Sequence, residues 1–449
     1  MNRSVLIITP YFAPQSHAAV FRAYKLAKYL PRYGWKPYVL TVDRNYLYNE
    51  DPTLLEDLSS EVEVFTARYI EPSIRGIRMA LGGRNRTFYA LKAENGHKGE
   101  PAERPSRIAN AVHMCYEYLS DRWLRTPDAY WTWRRPALAV ARRLIRQHDI
   151  PLVFTSADPY TSHLIGLDLQ RDGCRWVSDL RDPHAYNAHT ASPYYPVYAR
   201  QLAAERAAVR SADAVTVAAE AIAMIVTDMH GQYCSDRLHF IPTGLDEELI
   251  PEPAPNPSPY PYLVFSGEYL DAYGADFLEI FSHAIRNPAL QNSGHKLLII
   301  GRLDVNGRLQ PVLRDLGLTG KVELIDHMPQ RELYRLLLGA AAGVILSTRL
   351  FQWWCLYAKM VDYIALRKPV VALVPDPSEA RTRLTKARLG VFLDGDREAA
   401  TNKLVSFLSG QVKLPEPDEA ECRRYLASSQ VSAFVKVFEN VVGDRLPTT

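Results

Sequence analysis

Short apolar runs alternate with amphipathic stretches along most of the chain. Val5–Thr9 is rich in β-branched residues, which is typical of a strand buried on both faces. Apolar residues then recur at helical spacing between Val20 and Tyr33, Gly34 is placed to end that helix, and Tyr38–Val42 predicts the next strand. A connection of this length between neighbouring strands requires them to run parallel in one sheet.

The same order of elements recurs in the rest of the first half of the chain. Leu152–Ser156, Arg175–Asp179 and Ala214–Ala218 are predicted as strands. Thr161–Gln170 and Tyr198–Ser211 are predicted as the helices between them. Repeated strand–helix–strand units indicate an α/β domain built on a parallel sheet.

A proline-rich stretch separates this half from the next. Residues 250–261 hold six prolines and no helical or strand periodicity, which indicates a semi-rigid linker. Beyond it the predicted elements, in chain order, are strand Tyr262–Ser266, helix Gly274–Arg286, strand Lys296–Gly301, helix Arg308–Leu316, strand Val322–Ile325, helix Arg331–Ala341, strand Val344–Ser347, helix Tyr357–Leu366 and strand Val370–Val374.

The pattern therefore predicts two α/β domains. The first covers residues 1–249 with an insertion at about residues 71–110, and the second covers residues 262–425. We expect residues 426–449 to form a helix that returns to the first domain. A length of 449 residues agrees with two hydrophobic cores.

Composition and charge argue against several classes of protein. A net charge of +3 is too small for extensive contact with nucleic acid. The five cysteines are scattered without zinc or disulfide spacing. The first residues lack the longer apolar run of a signal peptide, and no window approaches the roughly 18 apolar residues of a membrane span. The cytoplasm is the expected location.

The insertion is basic. Eight Arg or Lys and three Glu fall between Arg75 and Arg107, so we expect weak attraction to anionic membrane at the inner face. Ile108–Leu124 follows with one apolar stripe. A helix packed on the first sheet is the favoured interpretation of that stripe, and a membrane-surface helix is the alternative.

Four segments carry a family resemblance. They are Ile8–Thr41, Thr155–Ala219 (with TSADPYTSHLIG and WVSDLRDP), Phe240–Asp246 (FIPTGLD) and Tyr357–Val371 (YAKMVDYIALRKPVV). In this order and spacing they resemble the bacterial glycosyltransferases of family 4. The resemblance implies the GT-B fold, in which two Rossmann-like domains face a central cleft. It also implies metal-independent transfer of a sugar, with retention, from a nucleoside diphosphate sugar bound by the second domain.

The first predicted site segment is the loop after the first strand. Gln15, Ser16 and His17 stand here where the family usually has a pair of glycines. Free amide groups at the start of the following helix, near Ala18, suit a diphosphate. His17 is a further hydrogen-bond donor in this loop.

The second segment follows the strand that ends at Asp179. Asp179, Arg181 and Asp182 lie at the carboxyl end of a buried strand, where ligands bind in open α/β sheets. Arg181 can pair with phosphate or form a clamp with Asp179. The resemblance implies that these residues act near the acceptor or the transferred sugar, and we assign them a catalytic role.

The third segment is the helix of the Lys-x-x-acid motif. Lys359 and Asp362 share one helical face, with Tyr357 just before them. Lys359 can stabilise a leaving diphosphate, which makes it both a catalytic and a donor-binding residue. Asp362 can accept a hydrogen bond from a sugar hydroxyl. The family often has a glutamate eight residues before the acidic position, where this chain has Trp354.

Two strand ends complete the predicted donor site. Gly267 follows the first strand of the second domain and is followed by Glu268, where the family often has a basic residue. Arg302, after Gly301, is a candidate replacement. Asp394-Gly395-Asp396 has the form of a metal-binding motif, but its place in a late loop indicates a turn. We therefore expect neither a metal nor a cofactor beyond the donor.

The predicted function is a glycosyltransferase of bacterial polysaccharide or glycoconjugate synthesis. Its expected partners are a nucleotide-sugar donor and an acceptor glycan, lipid-linked saccharide or small molecule. Three alternatives stay open: a tailoring enzyme that acts on a small molecule, a nucleotide-sugar epimerase, and an inactive GT-B scaffold that binds a partner or a sugar nucleotide.

Overall fold

The computed structural model describes two compact units. It covers residues 2–15, 17–43, 50–73, 76, 80, 126–188, 190–252, 258–267, 269, 275–301, 309–326, 328–347 and 352–443. The first unit comprises residues 1–218, 222–241 and 431–449, and the second comprises residues 219–221 and 242–430. Among the described helices, none is long and apolar enough to cross a bilayer.

Each unit contains one parallel sheet. Seven described strands form the first sheet in the order β3-β2-β1-β4-β5-β6-β7, and six form the second in the order β10-β9-β8-β11-β12-β13. The strands are β1 Ser4–Ile8, β2 Lys36–Val42, β3 Glu63–Ala67, β4 Leu152–Ala157, β5 Arg175–Leu180, β6 Ala214–Val217, β7 Leu238–Phe240, β8 Tyr262–Ser266, β9 Lys296–Ile300, β10 Val322–Ile325, β11 Ala342–Leu346, β12 Val370–Leu373 and β13 Gly390–Phe392.

Helices connect the strands. The described α-helices are α1 Phe21–Tyr29, α2 Thr53–Glu56, α3 Arg134–His148, α4 Thr161–Arg171, α5 Tyr195–Ser211, α6 Glu220–His230, α7 Asp276–Arg286, α8 Leu309–Asp315, α9 Gln330–Gly339, α10 Ala358–Ala365, α11 Glu379–Ala387, α12 Arg397–Leu408, α13 Glu419–Arg423 and α14 Ala427–Gly443. In both sheets the second strand lies on one side of the first and the fourth on the other, so the order along the sheet reverses at the first strand.

The central strand of each sheet is buried because both faces of the sheet are covered. All five residues of β1 are buried, as are all five of β8. The second half of α14 adds to the first core, where the Phe434 ring lies 5.3 Å from that of Phe154 and the Phe438 ring lies 5.5 Å from that of Trp35. Burying such rings stabilises the fold by a few kcal/mol each.

The predicted central elements are confirmed to within a few residues, and so is the edge strand β10, whereas the edge strands β3, β7 and β13 were missed. Helix α1 begins at Phe21 and not near Ala18 as predicted. The edge strands β3 and β7 escaped prediction because they are short and only partly buried. Of the basic insertion the structure describes only residues 71–73, 76 and 80, and the stripe Ile108–Leu124 lies outside the described residues. So do residues 253–257 of the linker.

A buried ion pair holds α1 against the first sheet. Arg22 Nε and Nη2 donate to the two carboxylate oxygens of Asp179 at 2.9 and 2.8 Å, and the two side chains are 2% and 0% exposed. The hydroxyls of Ser156 and Thr216 donate to the same carboxylate at 2.9 and 2.6 Å. Strands β4, β5 and β6 and helix α1 therefore meet at one satisfied carboxylate.

This network corrects the catalytic role predicted for Asp179. Burial alone would raise its pKa, but the Arg22 charge and the hydrogen bonds from Arg22, Thr216 and Ser156 lower the pKa below its ordinary value. A fully enclosed carboxylate with four donors has no surface to offer a ligand. Asp179 lies one residue before the end of β5 at Leu180, and it stabilises the sheet.

We expect Asp179→Asn to lower the free energy of unfolding by about 3–5 kcal/mol, because it leaves the buried Arg22 charge unpaired. Urea unfolding followed by tryptophan fluorescence and circular dichroism measures this. Asp172→Asn is the control, since Asp172 pairs with Arg142 at 2.7 Å on the surface and should cost less than about 1 kcal/mol. Equal losses in the two variants would contradict the structural role.

Candidate functional site

The loop after β1 is held by its own hydrogen bonds. The side-chain amide of Gln15 donates to the Pro10 carbonyl at 2.8 Å, and Gln15 is only 3% exposed. The Ala19 amide donates to His17 Nδ1 at 3.3 Å. Burial and the nearby Arg181 charge lower the pKa of His17 to about 4, so its ring is neutral at pH 7. Gln15 therefore faces inward, and Ser16 lies outside the described residues.

Arg181 is tied to the backbone. Its Nε donates to the Ala157 carbonyl at 2.9 Å, one Nη donates to the Ala19 carbonyl at 2.6 Å, and the other donates to the Asp158 carbonyl. The guanidinium thus fastens the loops after β4 and β5 to the start of α1. A clamp onto Asp179 was one prediction for Arg181, and this is wrong because Arg22 occupies that carboxylate.

A pocket opens at the carboxyl ends of β1, β4 and β5 in the first unit. Its volume is about 550 Å³, within the usual range for small-molecule sites. Tyr11 follows β1, Asp158 follows β4 and His184 follows β5. The described residues that line it are Tyr11, Pro127, Asp128, Ala129, Tyr130, Asp158, Pro159, His184, Thr190, Ala191, Ser192, Pro193, Tyr194, Val197 and Gln201.

An aspartate–histidine pair stands in the pocket wall. His184 Nδ1 lies 3.1 Å from Asp158 Oδ1, and the His184 ring stacks on Tyr160 at 4.2 Å. Burial alone would lower the pKa of His184, but the hydrogen bond to Asp158 and the charges of Asp158, Asp128 and Glu205 raise it above its ordinary value. His184 Nε2 is buried and has no hydrogen-bond partner among the described atoms.

Two neighbouring carboxylates, Asp128 and Asp182, differ in their hydrogen bonds and in their pKa. Asp128 accepts three bonds of 2.7 Å, from the Tyr130 amide and from the amide and hydroxyl of Thr161, so it organises the wall. Burial and the charge of Asp158 raise the pKa of Asp182 to about 6, against the lowering effect of Arg181. Asp182 is partly buried and lies two residues before His184.

The second unit brings two glycines together at its strand ends. Gly267 follows β8 and Gly301 follows β9, with φ angles of 112° and 144°. A Cβ at Gly301 would come within 2.8 Å of the Gly267 carbonyl oxygen, so no larger residue fits. The backbones of these two loops can approach each other because Gly301 has no side chain, and the positive φ angle of Gly267 also favours glycine.

Lys359 reaches over this glycine pair from the start of α10. Its Nζ lies 3.5 Å from the centre of the Phe265 ring and 3.3 Å from where a Cβ on Gly267 would be. Burial lowers the pKa of Lys359 to about 7, against a smaller raising effect of Cys355. No carboxylate within the described ranges forms an ion pair with it.

The start of α10 itself lacks acidic residues and a side-chain cap. The first hydrogen bonds to its N-cap residue, Tyr357, come from the amides of Met360 and Val361. In the part of the chain that the structure describes, the Ala358 and Lys359 amides have no backbone partner. Lys359 and the helix start therefore offer positive charge and donors at one place.

Asp362 and Trp354 lie further from this charge. Asp362 is partly buried and accepts a hydrogen bond from the Tyr334 hydroxyl at 3.3 Å. Trp354 is only 3% exposed, so the position of the family's earlier glutamate belongs to the interior. Glu268 and Arg302 lie outside the described residues.

Asp394 and Asp396 have structural partners. Asp394 forms a bidentate pair with Arg381 at 2.8 Å, and Asp396 caps α12 by accepting from the Ala399 amide at 2.9 Å. Gly395 between them has a φ of 96°. The motif lies in the loop between β13 and α12, and both of its carboxylates have protein partners.

Sequence reasoning missed the residues that line the pocket. It quoted Asp158 and His184 only within longer segments of family resemblance. The available signal was their position directly after β4 and β5, since ligands bind at the carboxyl ends of parallel strands. Nothing in the sequence pairs Asp158 with His184, which are 26 residues apart.

No protein-family model matches the sequence, and no curated protein matches it. Solved structures do share its fold. The sucrose-phosphate synthase of Thermosynechococcus elongatus is 14% identical with a TM-score of 0.58, over 98% of this chain and 97% of that one. HepE of Anabaena, in complex with UDP-glucose, is 14% identical with a TM-score of 0.54, over 98% of both.

An epimerase-like protein shares the fold as well. The putative UDP-N-acetylglucosamine 2-epimerase of Listeria monocytogenes is 10% identical with a TM-score of 0.55, over 99% of this chain and 98% of that one. Identities this low show common architecture and not common chemistry. The chain thus has the GT-B fold, built from two Rossmann-like α/β units that each hold one parallel sheet.

Proposed function

We propose that this protein is a glycosyltransferase that moves a sugar from a nucleoside diphosphate sugar to an acceptor hydroxyl. The carrying observation is the cation at the carboxyl end of the second sheet, where Lys359 Nζ stands over Gly267 at the start of α10. A diphosphate is the ligand that best matches a lysine, free helix-start amides and a glycine-lined approach.

The chemistry of transfer needs that charge. As the bond from the anomeric carbon to the diphosphate breaks, negative charge builds on the leaving oxygens and positive charge on the sugar ring. A fixed ammonium and fixed amides stabilise the departing diphosphate more than the bound donor, so they lower the barrier. Asp362, one helical turn after Lys359, is suited to accept a hydrogen bond from a hydroxyl of the nucleotide sugar.

Retention of configuration and a role in bacterial polysaccharide or glycoconjugate synthesis complete the proposal. They are supported by the family resemblance of the four segments and not by geometry. The description of one solved structure with this fold, HepE in complex with UDP-glucose, favours a nucleotide-sugar donor. A tailoring role on a small molecule is the second candidate, favoured by the 550 Å³ pocket of the first unit.

Nucleotide release from a panel of nucleoside diphosphate sugars, starting with UDP-glucose, tests the proposal. With a cell extract as acceptor source, a transferase releases nucleoside diphosphate together with a glycosylated product. An epimerase on the nucleotide sugar instead changes the sugar of the donor, and a scaffold binds without turnover. Either of the last two results would replace the proposal.

Lys359→Ala is expected to lower kcat/KM by about 10²–10³, the usual effect of removing one donor to a developing oxyanion. The fold should survive, because Lys359 is only partly buried and has no ion pair in the described ranges. Lys413→Ala, at an exposed position of the same unit, is the control. Near-normal kcat/KM in a folded Lys359→Ala protein would reject the assignment.

Affinity for the nucleotide sugar should fall as pH rises from 6 to 9. Lys359 is cationic below its pKa of about 7, and a bound diphosphate favours the cation, so binding weakens by up to about tenfold per pH unit above that pKa. Lys359→Arg should flatten the profile, since arginine stays charged. Calorimetric titration at four pH values measures both proteins, and parallel profiles would show that another group titrates.

Activity is expected to survive EDTA, because the proposed stabilisation of the leaving group comes from the ammonium and amides. Turnover is measured before and after chelation and gel filtration. Loss of activity that magnesium or manganese restores would contradict a metal-independent mechanism.

A further inference from the structure

A chain of hydrogen bonds runs from the start of α9 to Asp362. Gln330 is the first residue of α9, and its side-chain Nε2 donates to the Tyr334 hydroxyl at 2.6 Å. The same hydroxyl donates to Asp362 Oδ1 at 3.3 Å. Two side chains of α9 are thus linked to the carboxylate in α10 that the proposed function assigns to the nucleotide sugar.

The chain has one direction. A tyrosine hydroxyl has a single proton to donate, and a carboxylate can only accept. Because the Gln330 amide donates to the Tyr334 oxygen, the Tyr334 proton is left for Asp362. Burial raises the pKa of Tyr334 well above its ordinary value, and the charges of Asp362 and Asp246 raise it further. The hydroxyl therefore keeps its proton and acts as a donor at every physiological pH.

Tyr334 itself is enclosed in the core of the second unit. Its side chain is 0% exposed, and it belongs to the same apolar cluster as Tyr262 of β8 and Met360 of α10. Asp362, in contrast, is only partly buried. A ligand can therefore contact Asp362 but not Tyr334, so any effect of Tyr334 on binding passes through that carboxylate.

A different tyrosine anchors the helix that carries Asp362. Tyr363 is fully buried, and its hydroxyl donates to the Val264 carbonyl of β8 at 3.2 Å. This contact holds α10, and with it Lys359, against the sheet without help from the Tyr334 hydroxyl. Removal of that hydroxyl should change the orientation of one carboxylate and leave the lysine in place.

Orientation before binding favours affinity. An aspartate side chain loses rotational freedom when a ligand fixes it, and a carboxylate that is already held does not incur this cost again. A carboxylate has about four acceptor sites and Tyr334 uses one of them, so a ligand hydroxyl can bind to the same group. Because the tyrosine donor is neutral, it orients Asp362 without cancelling its charge.

We propose that Tyr334 is a positioning residue for the donor, that it holds Asp362 in the orientation that accepts a hydroxyl of the nucleotide sugar, and that Gln330 sets the direction of this bond. The inference rests on the proposed function, because it takes Asp362 to contact the nucleotide sugar. Gln330 and Tyr334 lie outside the four segments that carry the family resemblance, so the resemblance assigns them no role.

Calorimetric titration of the full chain with two probes separates Asp362 from Lys359. The first probe is whichever of UDP-glucose, GDP-mannose, ADP-glucose and dTDP-glucose binds best, and the second is inorganic pyrophosphate, which has no sugar. Tyr334→Phe should weaken the nucleotide sugar about threefold to tenfold, the usual effect of one lost hydrogen bond, and leave pyrophosphate within about twofold. Gln330→Met should weaken the nucleotide sugar in the same sense but less.

Tyr262→Phe is the matched control. Tyr262 is also 0% exposed and lies in the same cluster, but its hydroxyl donates to the Leu336 carbonyl at 2.8 Å and not to a site residue. It should leave the affinity for both probes unchanged. In an Asp362→Ala protein, Tyr334→Phe should cause no further loss, since it acts through the missing carboxylate. Additive losses, or an equal loss in Tyr262→Phe, would overturn the inference.

Failure of this inference and failure of the proposed function give different results. Nucleotide-sugar binding that depends on Lys359 but is unchanged in Tyr334→Phe would reject the positioning role and leave the transferase. Binding of none of the four nucleotide sugars would reject the proposed donor site, and the positioning role with it.

Discussion

Parallel pairing of all the described strands is the constraint on which the rest of both units depends. A parallel pair cannot be closed by a hairpin, so the chain must return along a face of the sheet before each new strand. All the loops that leave the carboxyl ends of the strands therefore gather at one edge. Tyr11, Asp158 and His184 meet for this reason in the first unit, and Gly267, Gly301 and Lys359 meet in the second.

Burial decides what each polar residue at these edges can do. Asp179 and Asp158 both stand at the ends of neighbouring strands, and both have a basic partner. Asp179 is enclosed, accepts from Arg22 and two hydroxyls, and has no surface left, so it holds elements together. Asp158 lines a pocket and its side chain is 22% exposed, so a ligand can reach it. A ligand can therefore form hydrogen bonds with Asp158 but not with Asp179.

Lys359 shows the opposite use of burial. Burial brings the pKa of Lys359 to about 7, which means that its charge is costly without a bound anion, although its Nζ lies over the face of the Phe265 ring. An anion that neutralises the ammonium recovers that cost on binding. A desolvated lysine therefore favours a diphosphate over a neutral ligand.

The sequence by itself determined the alternation of strands and helices and the division into two α/β halves, and it pointed to Lys359 as a candidate site residue. Hydrophobic periodicity and the helical spacing of Lys359 and Asp362 are local properties, so they can be recognised in the sequence without knowledge of tertiary contacts. Edge strands such as β3 and β7 were lost because short, half-exposed segments carry weak periodicity.

Only the tertiary structure decided which of the candidate residues are free to act. Asp179 was predicted to be catalytic, but Arg22, 157 residues earlier in the sequence, forms a buried ion pair with its carboxylate. The sequence did not predict that His184 and Asp158 form a pair, and the fold brings His184 Nδ1 to 3.1 Å from Asp158 Oδ1. Pairing, burial and pocket formation depend on contacts between residues far apart in sequence, and a local pattern carries no information about which distant partner arrives.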